Sequence, residues 1–216
     1  RLSSYVVLTA LTLTTATASA QTVQVEVIAA SGQQAPGLPA GTTLEVVSGM
    51  TMQPITNSDG DITFGTALRG GGVTPNTDDR AIWFWNPALG STMVVRSGSQ
   101  AESLAAGINY WFFDVTGLTD QDEVIFRARL TGTPVSSAND YATWSWTTNG
   151  TALIGHEGGA TPGDPNATLS DVAPSSPPKL YVRANPAGHL TFLAGLQTTN
   201  SNEGAIFGKT STAALG

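Results

Sequence analysis

A short stretch with every second residue apolar and an aromatic at its centre occurs three times along the chain. It reads GDITFGTALRG at Gly60–Gly70, DEVIFRARLTG at Asp122–Gly132 and GHLTFLAGL at Gly188–Leu196. Side chains that alternate with a period of two mark a strand buried on one face. Phe64, Phe126 and Phe192 hold the central position, spaced by 62 and 66 residues. A chain written this way is constrained to an all-β fold of similar units, and these phenylalanines are expected in the core.

Three further features line up with the Phe strands. An opening apolar strand ends in Gly at Val27–Gly32, Met93–Gly98 and Leu153–Gly158, followed by the turn dipeptides Pro36-Gly37 and Pro162-Gly163 in the first and third copies. A looser apolar segment comes next: Thr43–Met52, the aromatic Ile108–Val115, and in the third copy a stretch interrupted by Pro174, Pro177 and Pro178, which reads as a loop or edge. A turn headed by Asn57, Asp120 or Asn185 leads into the Phe strand. A closing strand follows at Ala81–Trp85, Ala142–Trp146 and Ala205–Lys209, with Trp83, Trp144 and Phe207 in equivalent positions.

The sequence therefore predicts tandem four-stranded antiparallel sheets, one per unit, over residues 21–90, 91–150 and 151–210. Each sheet needs its faces covered by its neighbours. Radial stacking gives a β-propeller-like arrangement; consecutive β-sandwiches or a solenoid are the alternatives. Thr212–Gly216 (TAALG) repeats Thr151–Gly155 (TALIG), so residues 211–216 read as the start of a fourth unit, and the chain as part of a longer array.

Residues 1–20 read as a secretory signal: a basic Arg1, the apolar run Tyr5–Leu13, and an Ala18-Ser19-Ala20 cleavage pattern. The run is too short and too rich in Thr to span a bilayer, and no later stretch qualifies. A secreted, cell-surface or periplasmic location follows. The net charge of −7 argues against nucleic acid as a partner, since phosphate backbones select basic surfaces. The absence of cysteine excludes disulfides, thiolate metal sites and a Cys nucleophile.

Taken together, the pattern Ser31-Gly32, Ala35-Pro36-Gly37, Asn57, Gly60-Asp61-Ile62-Thr63-Phe64 and Ala81-Ile82-Trp83 resembles a family of bacterial exported tandem-repeat proteins of unknown function, many of which end in a C-terminal sorting or anchoring segment. The second copy departs from it, lacking the Pro-Gly turn and carrying Asp122-Glu123 where Gly is expected. The resemblance implies propeller-like β repeats at or beyond the cell surface and brings no catalytic residues.

Chemistry is sparse. Asn57, Asp59 and Asp61 place oxygen-bearing side chains at alternate positions, as at the start of a calcium loop, but no Glu follows at the twelfth position, and the same run is an ordinary turn. Calcium is thus the one cofactor the sequence raises. The acidic loops Asn76–Asp79, Asn139-Asp140 and Asn202-Glu203 offer cation or sugar binding, against plain solvation. His156 and His189 lack metal-ligand spacing, and no nucleophile elbow accompanies them. Gly70-Gly71-Gly72 lacks the Lys of a phosphate loop and reads as a flexible loop. Trp85, Tyr110, Trp111 and Trp146 are either core or sugar platforms. Asn149-Gly150-Thr151 and Asn166-Ala167-Thr168 match the glycosylation sequon.

The expectation is an exported, non-enzymatic interaction or structural module, its partner a protein, a polysaccharide or a second copy of itself. The alternative is a propeller hydrolase, lyase or binding module for extracellular polysaccharide. In that case, acidic or His residues should break the symmetry of the repeats.

Overall fold

The period-two stretches are the central strands of three antiparallel sheets. The structure, a computed structural model, describes residues 25–46, 54–161, 164–170, 181–185, 187–197 and 202–209. The first sheet contains β1 (Thr42–Glu45), β2 (Ile55–Thr56), β3 (Ile62–Gly70), β4 (Arg80–Asn86) and β5 (Gly90–Arg96). The second contains β6 (Asn109–Leu118), β7 (Val124–Thr131), β8 (Tyr141–Thr147) and β9 (Gly150–His156). The third contains β10 (Ala160–Thr161), β11 (Asp164–Ser170), β12 (Tyr181–Ala184), β13 (Leu190–Gln197) and β14 (Asn202–Lys209). No helix occurs among the described residues. The segment read as a signal, Pro162-Gly163, the prolines at 174–178 and Thr212–Gly216 lie outside the described residues.

The same cross-strand pair recurs in each sheet: Phe64 opposite Trp83, Phe126 opposite Trp144, Phe192 opposite Phe207. The edge beside the Phe strand varies. In the first sheet β1 and β2 share it, and in the third β11 and β12 do. In the second, β6 runs its whole length, with register shifts between Tyr110 and Phe112 and between Val115 and Gly117.

The opening strands differ from the sequence-based expectation in their partners. β5 is hydrogen-bonded to β4 and β9 to β8, so each completes the sheet that precedes it. Residues 25–30 form no strand with any described residue.

On one face of the first sheet Phe64, Leu68 and Trp83 pack with Ala35, Leu44 and the half-buried Ile28 and Ala29. From the other face Ile82, Phe84, Val94 and Val95 join Tyr110, Phe113, Phe126, Trp144 and Trp146 of the second sheet in one cluster. Phe84 and Trp146 meet across the two sheets at 5.8 Å, while Trp144 stacks on Phe126 and meets Tyr110 edge-on. Side chains of this size contribute about 1.5–3 kcal/mol each when fully buried, so this seam dominates the described core. The indole N–H groups are satisfied within it: Trp83 Nε1 donates to Thr66 Oγ1 at 2.9 Å and Trp144 Nε1 to the Glu102 carbonyl at 3.0 Å.

Two turns depart from their sequence reading. The turn before β7 is headed by Thr119, one residue earlier than Asp120. Thr119 Oγ1 accepts the amides of Gln121 and Glu123, as Asn57 Oδ1 accepts those of Asp59 and Asp61. A hydroxyl does here what the carboxamide does in the first sheet. Gly70-Gly71-Gly72 is a packed turn, not a flexible loop: all three φ are positive, and a Cβ on Gly71 would lie 2.0 Å from Thr42 Oγ1.

Candidate functional site

The two turns ahead of β3 and β7 meet at the seam between the first and second sheets. Asn57 Nδ2 lies 3.2 Å from Asp61 Oδ2, 3.1 Å from the Thr119 carbonyl and 3.4 Å from Asp122 Oδ1. The Ser58 amide donates to Asp120 Oδ1 at 2.9 Å, and Asn86 Nδ2 donates to Asp61 Oδ1 at 2.6 Å. Asp61 and Asn57 are buried. The turns' own bonding explains the approach: each has its amides gathered by the heading side chain, which leaves the carboxylates directed across the seam.

Asp122 breaks the pattern. It has φ 59° where the corresponding positions, Gly60 and Gly188, have φ 87° and 82°. Aspartate tolerates this region better than most residues, and here it adds a carboxyl that the other turns lack. Burial, then a hydrogen bond to Asp61, then the charges of Asp61 and Asp59 push the Asp122 carboxyl up to about 6, with the Asn57 amide pulling the other way. The neighbouring Asp120 carboxyl is held below its usual range by the Ser58 hydroxyl and amide. Below about pH 6 the Asp122 carboxyl carries a proton at this inter-sheet seam.

As a cation site the cluster is poorly furnished. Of the predicted donors, Asn57 uses its oxygen inside the turn and presents its nitrogen to the other oxygens, and Asp59 is exposed. A donor nitrogen stands where a calcium ion would need oxygen. Among the described residues no three His, Cys, Asp or Glu side chains are placed to hold a metal.

The aromatics separate by environment. Tyr110 and Trp146 are buried and Trp85 is half-buried against the first core, whereas Trp111 is 39% exposed. Burial pushes the Tyr110 hydroxyl up to about 12. Trp111 sits at the β6 register shift, its Nε1 donating to the Asn76 carbonyl at 3.1 Å and its ring 5.0 Å from the Arg129 guanidinium. Beside it lies an open cavity of about 280 Å³ lined by Arg129, Thr131, Ser136, Ser137 and Asp140. Bulges re-aim side chains in this way, but the alternation of β6 conceals it in the sequence. The arginine stacks, including Arg80 over Phe112 at 4.3 Å, had no sequence signal because their partners lie on separate strands.

The remaining candidates build turns. Asp78 accepts the Thr74 amide and pairs with Arg96 at 2.8 Å; Asp79 accepts the Asn76 amide; Asp140 pairs with Arg129 at 2.8 Å. Asn139 Oδ1 accepts the Ser136 amide. His156 Nε2 is 3.0 Å from the Asn139 carbonyl, and His189 is exposed, its amide donating to Asn185 Oδ1.

A family model described as a family of unknown function (DUF7453) matches residues 13–216. No curated protein matches the chain.

Proposed function

We infer that this chain, which belongs to the family of unknown function DUF7453, is an exported, non-enzymatic interaction or structural module made of tandem propeller-like β units. The observation that carries the reading is how the ionisable side chains are used. Arg69, Arg80, Arg96, Arg127 and Arg129 each lie in an ion pair with an aspartate or glutamate, and the seam carboxylates of Asp61 and Asp120 accept hydrogen bonds from Asn57, Asn86 and the Ser58 amide. These groups hold strands and sheets together. The propeller-like reading draws on the way β5 and β9 each complete one sheet and lead directly into the next, and on a core continuous between the first two sheets. Export rests on the apolar run and the Ala18-Ser19-Ala20 pattern.

A second reading, polysaccharide binding, is favoured by one place among the described residues: the exposed, fixed Trp111 ring above a polar cavity. A pyranose presents an apolar C–H face that stacks on such a ring while hydroxyls line its edge. Labelling of intact cells, together with reducing-end assays on extracellular polysaccharides, tests the proposal against the enzymatic alternative. Surface or medium labelling without release of reducing ends is expected. Release that disappears in Asp122→Asn would replace the proposal with the hydrolase or lyase alternative.

A further inference from the structure

The second sheet departs from its neighbours in two residues, and the two departures meet. Aligned on the pairs of Phe64 with Trp83, Phe126 with Trp144 and Phe192 with Phe207, Arg129 stands where the first and third sheets have Ala67 and Gly195. On the adjoining edge, Leu44 faces Leu68 and Glu45 faces Ala67 in the first sheet, and Leu169 faces Leu196 and Ser170 faces Gly195 in the third. In the second, Tyr110 faces Leu130 and Phe112 faces Arg129. Trp111 is therefore an added residue with no counterpart in either neighbour. The bulge it makes carries its ring to 5.0 Å from the Arg129 guanidinium. Burial does not account for the pair, since Trp111 is 39% exposed and the Arg129 side chain 42%.

Both groups are held in place. Trp111 Nε1 donates to the Asn76 carbonyl, and Arg129 Nε donates to Asp140 Oδ2 at 2.8 Å. The second bond takes up only the Nε edge of the guanidinium. Among the described residues neither terminal nitrogen of Arg129 has a hydrogen-bond acceptor. What remains is a fixed fork beside an indole on the wall of the open cavity, where the exposed Thr131 and Ser137 add hydroxyls. A guanidinium fork matches a carboxylate, which accepts two parallel hydrogen bonds from it. The indole matches the apolar C–H face of a sugar ring. A hexuronic acid carries both features on one ring. We propose that this cavity binds a uronate residue of an acidic polysaccharide, its ring against Trp111 and its carboxylate on the terminal nitrogens of Arg129. A neutral glycan offers the ring without the carboxylate, and an acidic peptide the carboxylate without the ring. Groups fixed before the ligand arrives lose little freedom on binding, which favours the ligand that uses both.

The inference rests on the polysaccharide-binding reading of this cavity, and comparing an acid with its ester separates the two. In titration calorimetry the unaltered chain is expected to bind an α-1,4-linked galacturonate trimer about tenfold more tightly than the trimer's methyl ester, the advantage shrinking at high salt. Arg129→Lys keeps the charge and removes the fork. It is expected to bring the acid down to the affinity of the ester and to leave the ester unchanged. Trp111→Leu is expected to weaken both about tenfold. Equal affinity of the unaltered chain for acid and ester would overturn the inference and leave saccharide binding standing. Binding of neither trimer would remove both. A glutamate trimer that binds as tightly as the galacturonate would replace the sugar with an acidic peptide, and affinities unmoved by Arg129→Lys and Trp111→Leu would place the ligand elsewhere on the chain.

Discussion

At the scale of the residue, Asp122 carries the clearest physical consequence. Its folded carboxyl is raised to about 6 from 3.8. The folded protein therefore binds this proton more tightly than the unfolded chain, so the associated stability is fully present below pH 3.8 and is lost as pH rises through about 6. Stability should increase as pH is lowered from 7 towards 5. Asp122→Asn tolerates the same backbone conformation and removes the charge. It should be more stable at pH 7 by about 1 kcal/mol, allowing for solvent screening of a half-buried group, and flat across that window. Identical pH profiles of melting temperature for the two proteins would exclude the seam as the origin. The sequence shows Asp122 as an acid where a Gly is expected. It does not show Asp61 as its partner, because that contact joins two turns from different sheets.

At the scale of the element, the strand ends are fixed by paired glycines. A Cβ on Gly70 would lie 2.4 Å from the Gly41 carbonyl oxygen, and one on Gly132 1.9 Å from that of Gly107. The Gly132 φ of 114° is also one that side chains avoid. Since the obstacle is backbone, Gly132→Ala should cost about 3 kcal/mol or more in denaturant melts, with the damage centred on the β6–β7 pair. A change below about 1 kcal/mol would show that the edge relaxes freely. Strand positions were legible because alternation records burial, and Phe64, Phe126, Trp83 and Trp144 are indeed buried. Strand partners were less so. The opening strand at Met93–Gly98 has the same alternation whichever sheet it joins, and only the tight turn between Asn86 and Gly90 ties β5 to β4. The turn between Thr147 and Gly150 ties β9 to β8 in the same way. The Trp111 bulge left no mark, since an inserted residue looks like any other step in an aromatic run.

At the scale of the whole molecule, the first two sheets share an apolar cluster between them, while the first sheet packs a second cluster on its other face. Phe84 belongs to the first sheet by its hydrogen bonds and to the second by its packing against Trp146. The seam is crossed a second time by the Asn57 and Ser58 bonds to Thr119 and Asp120. Two sheets joined in this way should open together, because exposing either face of the cluster exposes the other. Phe84→Ala, which removes a fully buried ring, should cost about 3–5 kcal/mol. In native-state hydrogen exchange the loss should appear equally in the amides of β3–β4 and of β7–β8. Loss confined to β3 and β4, with β7 and β8 as protected as before, would mean that each sheet is an independent folding unit held only by its neighbours' proximity.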